Sequence, residues 1–355
     1  MTPLPVTVEQ ITRAWLNEAL AERYPGVVLT AAAVRTVIPG TSTKIRVAVE
    51  YDRASLRFNL PTSLIIKGGF EEHSPILQPM YFNEMRFYRD VQPLVDIHSP
   101  ECFYAGTDPS SHQSIVIMED LVPRSVVFCD PLQTHSYAQV ARRLAAMARY
   151  HAQTWNSAEF IAGGKLDWVG GRHEGWSIAY QERYLQAAVW DHYMSLPRGT
   201  AVPKQFRDSE WMRTALRNLG TSHQPGPHCL VHGDTHLGNL YIETDGTPGF
   251  FDAQVARGPW QLEVSYHLIC ALDIADRRRW ERPLLGHYLE ALSAHGVVAP
   301  DFDLAWEAHR RELAYGLFIF LINETRFQTE SINTAYAARF GSAALDHDTY
   351  RLLQS

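Results

Sequence analysis

The stretch His232-Gly233-Asp234-Thr235-His236-Leu237-Gly238-Asn239, with the Phe251-Asp252 pair beyond it, constrains this chain more than any other feature. Two glycines close a loop, with Asp234 near its entry and Asn239 at its exit. An apolar run, Cys229-Leu230-Val231, leads in, and Leu240-Tyr241-Ile242 leads out with strand character. Asp245-Gly246 is a hairpin turn signal, and Gly249-Phe250-Phe251 brings the chain back. The pattern predicts strand, loop, strand, turn, strand. Asp252 lies thirteen residues beyond Asn239, enough for two short strands and a turn that return Asp252 beside Asn239.

These residue types permit one kind of chemistry well. Asp234 can take a proton from an attacking hydroxyl, while the Asn239 amide oxygen and the Asp252 carboxylate can hold Mg²⁺ against phosphates. Asp-x-x-x-x-Asn alone is also what an Asx turn offers. The flanking His-Gly, the glycine before Asn239 and the later Asp252 turn the balance toward function. His232, Asp234 and His236 could instead form a zinc-dependent hydrolase cluster. That geometry needs a helix to bring both rings to one face, and Gly233 and Gly238 predict a loop.

The rest of the chain changes texture near residue 120. Thr7-Val8-Glu9-Gln10 reads as a capping box opening a helix whose apolar stripe is Ile11, Trp15, Leu16, Ala19 and Leu20. Ile45, Val47, Val49 and Tyr51 alternate with Lys44, Arg46, Ala48 and Glu50, the period of a strand. Leu64 to Lys67 and Ser114 to Met118 read as further strands, and Met80 to Val91 as a helix. After residue 120, Ser136 to Trp155 and Ser209 to Leu219 carry helical spacing, and nearly everything past Gln261 follows. The expected class is α+β, divided at 1–120 and 121–355. His151 and His267, in apolar helices, read as satisfied core histidines.

Composition narrows the partners. The net charge is −7, and no Lys/Arg run offers the basic face that duplex binding requires, so nucleic acid is not expected. Arg277-Arg278-Arg279, with Asp273, Asp276 and Glu281 around it, reads as a solvated helix face. The longest apolar run, Leu317 to Ile322, is far too short for a bilayer, and Met1 to Gln10 lacks a signal-peptide pattern. Four scattered cysteines without a CxxC predict buried thiols in a reducing compartment, so a cytoplasmic protein, monomeric or homodimeric, is expected.

His232 to Asn239 resembles the HGDxHxGN motif of the aminoglycoside-phosphotransferase and choline-kinase-like superfamily, whose fold is protein-kinase-like. Asp252-Ala253-Gln254 with Arg257-Gly258-Pro259 is similar to the ecdysteroid-kinase-like branch. The resemblance implies a bilobal fold with a small β-rich N-lobe and a larger helical C-lobe. It also implies an ATP- and Mg²⁺-dependent O-phosphotransferase, with Asp234 as base, Asn239 and Asp252 on the metal, and His232 bracing the loop. Glu263 takes the place of the family's loop-supporting aspartate, one methylene longer. Pro39 to Lys44 resembles the phosphate-facing loop, making Gly40, Thr41, Ser42 and Thr43 candidate nucleotide contacts. Lys67 at a strand end could reach the α- and β-phosphates, oriented by Glu84, with Glu71 and Glu72 as competitors. Met118 to Leu121 looks like the hinge, where Glu119 and Leu121 would meet adenine through backbone groups. With Lys67, Asp234, Asn239 and Asp252 all present, a nucleotide-binding pseudokinase is the weaker reading.

The acceptor is expected to be a small hydroxyl compound. Trp190 to Phe206 and Trp306 to Phe327 are rich in aromatics that could line an apolar pocket or simply form core. No dense acidic cluster suited to a polyamine antibiotic is present, which points to a metabolic or catabolic alcohol.

Overall fold

The computed structural model describes residues 3–224 and 226–354. They divide into two compact units, one of residues 3–94, 98–126 and 251–254, the other of 95–97, 127–224, 226–250 and 255–354.

In the first unit, helix α1 (Arg13–Ala21) precedes strands β1 (Leu29–Ile38), β2 (Thr43–Tyr51) and β3 (Ser63–Gly68), helix α2 (Ser74–Arg86), and strands β4 (Cys102–Asp108) and β5 (Gln113–Glu119). The helix expected to open at Thr7 begins later. Residues Val8–Gln10 make one 3₁₀ turn, and Thr12 caps α1 by accepting from the Trp15 N–H. The strands form one antiparallel sheet in the order β1-β2-β3-β5-β4.

The alternation on β2 decides what covers the sheet. Ile45, Val47 and Val49 join Leu64, Ile66, Ile115 and Ile117 in a core that also buries Trp15, Leu16 and Leu20 of α1. Helix α2 packs on β4 and β5. Lys67 follows Ile66, so its side chain leaves the strand on the opposite face from that core. Glu84 stands with Leu77, Tyr81 and Met85 among the buried residues of α2, at helical spacing.

The second unit holds β6 (Val127–Phe128), α3 (Tyr137–Gln153), α4 (Gly175–Tyr184), α5 (Ala187–Ser195), α6 (Pro197–Thr200) and α7 (Ser209–His223). Strands β7 (Cys229–Val231), β8 (Leu240–Ile242), β9 (Pro248–Phe250) and β10 (Ala256–Gly258) come next. Helices α8 (Gln261–Ala271), α9 (Ile274–Ala294), α10 (Phe302–Ile322), α11 (Glu330–Asp346) and α12 (Thr349–Leu352) complete it. Strands β8 and β9 form the expected hairpin, with β6 on its edge, and β7 pairs with β10.

One expectation needs correction here. Arg277 is not solvated: it is 1% exposed and donates to Glu281 and Asp346 from within the helical core. Arg278 and Arg279 of the triplet show the exposed character expected. Trp190, Phe206 and Phe318 are fully buried, and Trp190 stacks on Phe318, so these aromatics are core. Among the described residues no helix is long and apolar enough to cross a membrane. All four cysteines are buried and free.

Candidate active site

In the second unit, the loop between β7 and β8 is held at nearly every backbone group. Gly233 adopts φ +82°, the left-handed region where a side chain costs about 1–2 kcal/mol, which explains the glycine. Glu263 on α8 is the central support. Its Oε2 accepts from the Tyr150 hydroxyl at 2.8 Å, from His151 Nε2 at 2.8 Å and from the His232 N–H at 3.2 Å. Its Oε1 accepts from the Gly233 N–H at 3.2 Å. Burial works to raise the Glu263 pKa, but the hydrogen bond and charge of His151 outweigh it and hold the carboxyl below its ordinary value. The longer side chain at this position therefore reaches two loop N–H groups and two helical side chains at once.

Other supports come from further along the chain. Arg172 donates to the Gly233 carbonyl at 2.9 Å, His267 Nδ1 to the Thr235 carbonyl at 2.9 Å, and the Leu237 N–H to the Tyr336 hydroxyl at 3.1 Å. His151 is satisfied at both ring nitrogens, by Glu263 and by Tyr288. His267 is not: its Nε2 has no partner among the described residues, which corrects the expectation of a fully satisfied core histidine. The His232 ring accepts weakly from the Asp234 N–H at 3.4 Å.

This scaffold presents Asp234. Its Oδ2 accepts from Asn239 Nδ2 at 2.9 Å, and its Oδ1 accepts from the Tyr266 hydroxyl at 3.1 Å. Each oxygen keeps a lone pair, and the side chain is about one-third exposed. Asn239 Nδ2 also donates to the Asp234 carbonyl at 3.0 Å, which commits the amide nitrogen and leaves the amide oxygen for a hard cation. Tyr266 was not found from the sequence. The signal lay in its place three residues after Glu263, on the same side of one helix.

His236 Nδ1 accepts from the Gly238 N–H at 3.0 Å, and its Nε2 stands 3.7 Å from Asp234 Oδ2. With Nδ1 committed there and His232 Nδ1 turned to the Asp234 N–H, these side chains do not converge as a zinc ligand set. Among the described residues the group of three with ligand atoms mutually within 4.8 Å is Glu281, His309 and His347. Arg277 Nη1 already donates into that group, to Glu281 at 2.9 Å and to His347 at 3.2 Å, so a guanidinium fills the place of a cation.

In the first unit, Lys67 is 4% exposed and donates to Glu84 at 2.5 Å and to Asp252. Lys44 reaches the other Asp252 oxygen at 3.0 Å. Burial alone would lower the Lys67 pKa, but the charges of Asp252 and Glu84 raise it. Burial likewise works to raise Asp252, yet Lys44 and then Lys67 hold it well below the usual carboxylate range. Glu84, sharing one ammonium with a second carboxylate, is raised by its burial. Asp252 has φ +57°, a conformation that Asp tolerates better than most residues.

Glu71 does not compete for Lys67; it accepts from the Thr43 hydroxyl at 3.0 Å. Gly40, Thr41 and Ser42 lie in the β1–β2 connection, where the Thr41 carbonyl accepts from the Tyr81 hydroxyl at 2.6 Å. Thr43 and Ser42 are buried. The Glu119 side chain turns to Arg124 at 2.9 Å, and Asp120 is held by Arg46 and Ser63. Leu121 is buried. The structure thus gathers Lys67, Glu84 and Asp252 within the first unit, and Asp234 and Asn239 within the second.

Residues 41–162 match the sequence model of the ecdysteroid kinase-like family. No curated protein sequence matches. Among solved structures, a protein named as an aminoglycoside phosphotransferase from Ralstonia eutropha JMP134 is 13% identical, with 97% of this chain and 98% of that one covered at a TM-score of 0.54. The GDP and kanamycin complex of APH(2″)-IIIa is 11% identical over 86% of this chain and 89% of that one, TM-score 0.51. The GDP complex of wild-type aminoglycoside 2′-phosphotransferase-IIIa is 10% identical over 94% and 99%, TM-score 0.51. At these identities the likeness shows a shared fold.

Proposed function

The chain has the α+β, protein-kinase-like fold of the small-molecule phosphotransferases and resembles their ecdysteroid kinase-like branch over residues 41–162, and from this premise we propose that it is an ATP-dependent kinase that phosphorylates a hydroxyl of a small molecule. One observation carries the reading most: Lys67 and Asp252, 185 residues apart in sequence, meet beside the buried Glu84. A buried ammonium between two carboxylates is costly to assemble as a purely structural device. It is economical where the ammonium serves phosphates and one carboxylate serves a metal.

The roles follow from the side chains. Lys67, oriented by Glu84, binds the α- and β-phosphates, and the hydroxyls and N–H groups of Gly40 to Thr43 face the triphosphate. Backbone groups at Glu119 and Leu121 take the adenine. Asn239 through its amide oxygen and Asp252 through its carboxylate would hold Mg²⁺ with phosphate oxygens, which neutralises charge on the transferring group. Asp234 accepts the hydrogen bond of the acceptor hydroxyl. As the acceptor oxygen bonds to the γ-phosphorus and the bond to the β-phosphate oxygen breaks, Asp234 receives the hydroxyl proton, and ADP leaves. The transition state is loose, so positioning and late proton removal share the work.

That a structure of this fold was solved with GDP supports a nucleotide as donor and makes GTP the alternative to test. The decisive experiment is a screen of hydroxyl compounds for ADP or GDP release with Mg²⁺ present or withheld. Metal-dependent release with some acceptor is expected. Release from no nucleotide with any acceptor, or hydrolytic activity that follows added zinc instead, would replace this reading.

A further inference from the structure

Lys44 closes the Pro39–Lys44 stretch and is a partner of Asp252. Its position in the sheet says more. In the register of β2 against β3, Lys44 is the direct cross-strand partner of Lys67. Like charges directly opposite one another on adjacent strands repel and destabilise the pair. Here both ammonium groups converge on the two oxygens of Asp252. Lys44 also follows the Gly40–Thr43 connection immediately, and its side chain is 35% exposed against 4% for Lys67. Two cations aimed at one anionic centre, one fixed and buried and one reachable from solvent, fit a ligand carrying several negative charges.

Resting on the kinase reading, we infer that Lys44 is a second phosphate-binding cation, which gives up Asp252 for the polyphosphate of the nucleotide when the nucleotide binds. The exchange leaves each charge partnered. Without nucleotide, Asp252 is neutralised by two lysines. With nucleotide, the phosphate oxygens take Lys44, and the Asp252 oxygen it held becomes available to a divalent cation. A divalent cation alone must displace an ammonium with no phosphate to receive it, so metal and nucleotide enter together.

The test is titration calorimetry of the whole protein with MgADP, AMP and adenosine, no acceptor present, for wild type, Lys44→Met and Lys44→Arg. Lys44→Met is expected to weaken MgADP about tenfold, the loss of one partly exposed charge-assisted contact, and to leave adenosine unchanged. Lys44→Arg, which keeps the charge, should stay within about threefold of wild type. Tighter MgADP binding by Lys44→Met would make Lys44 only a lock on Asp252 and overturn the proposal. Unchanged MgADP binding, or equal losses for MgADP and adenosine, would overturn it as well. Wild-type protein that binds none of the three would overturn the kinase reading together with the proposal.

Discussion

At Asp234 the carboxylate is oriented by Asn239 and Tyr266 and keeps lone pairs, which the proposed function gives to an acceptor hydroxyl. Asp234→Asn keeps the shape and can accept a hydrogen bond, but it is a poor base. A fall in kcat of about 10²–10⁴-fold, with the KM for ATP little changed, is expected. Steady-state kinetics with a melting temperature alongside checks it; a kcat within about threefold of wild type would leave Asp234 as a loop cap only. Glu263 gives a pH-dependent counterpart. Its folded pKa lies below the unfolded value, so its contribution is full above the unfolded carboxylate value of about 4.3 and is lost as pH falls through the folded one. Glu263→Gln should cost about 1.5–3 kcal/mol near pH 7, because an amide cannot accept all four donors. The gap to wild type should narrow as pH falls below the unfolded carboxylate value and close as pH passes through the lower, folded one. Thermal melts of both proteins across pH 3–7 read this, and a gap constant with pH would remove the carboxylate's charge from the explanation.

Among the elements, α8, α10 and α11 set the aim of the site. Tyr266 of α8 stacks on Phe320 of α10 with centroids 5.5 Å apart, and Phe320 meets Tyr336 and Phe340 of α11 at 4.2 and 5.6 Å. Through Tyr336 the same cluster also holds the Leu237 N–H. The closeness of α10 and α11 depends on Gly316, where a Cβ would lie 2.1 Å from the Phe340 ring. Gly316→Ala must push that ring aside and should cost about 1–3 kcal/mol, seen as a lower melting temperature. Since the displaced ring belongs to the cluster behind Tyr266, activity at a temperature where the variant is folded should also fall. A variant as stable as wild type would mean that the two helices yield without strain.

On the scale of the molecule, nucleotide should register as stability. Asp252 is engaged by two ammonium groups, and one Asn amide is a weak metal ligand. Mg²⁺ alone is therefore expected to leave the melting temperature unchanged. MgATP at about a hundredfold over its Kd should stabilise the protein by about 2.7 kcal/mol. A thermal-shift assay with each addition separately checks this, and stabilisation by Mg²⁺ alone would contradict the metal assignment.

The local island was legible because its signals are local. Glycines, a DG turn and short apolar runs specify β7, the loop and the β8–β9 hairpin within about two dozen residues, and the period of two on β2 specifies which of its side chains enter the core. The choice of Glu84 over Glu71 was legible from placing one on a helix and the other in a loop. What the sequence could not supply were facts of register and packing between distant segments. The buried guanidinium of Arg277 looked solvated because its partner Asp346 lies on α11, 69 residues away. Tyr266 on Asp234, four donors on Glu263, and Lys44 facing Lys67 each depend on which face of an element meets which neighbour. Residue types and spacing determine the chemistry that is possible and the local turn that displays it. Only tertiary structure, by burying charges where each must find a partner, decided which side chains are brought together for it.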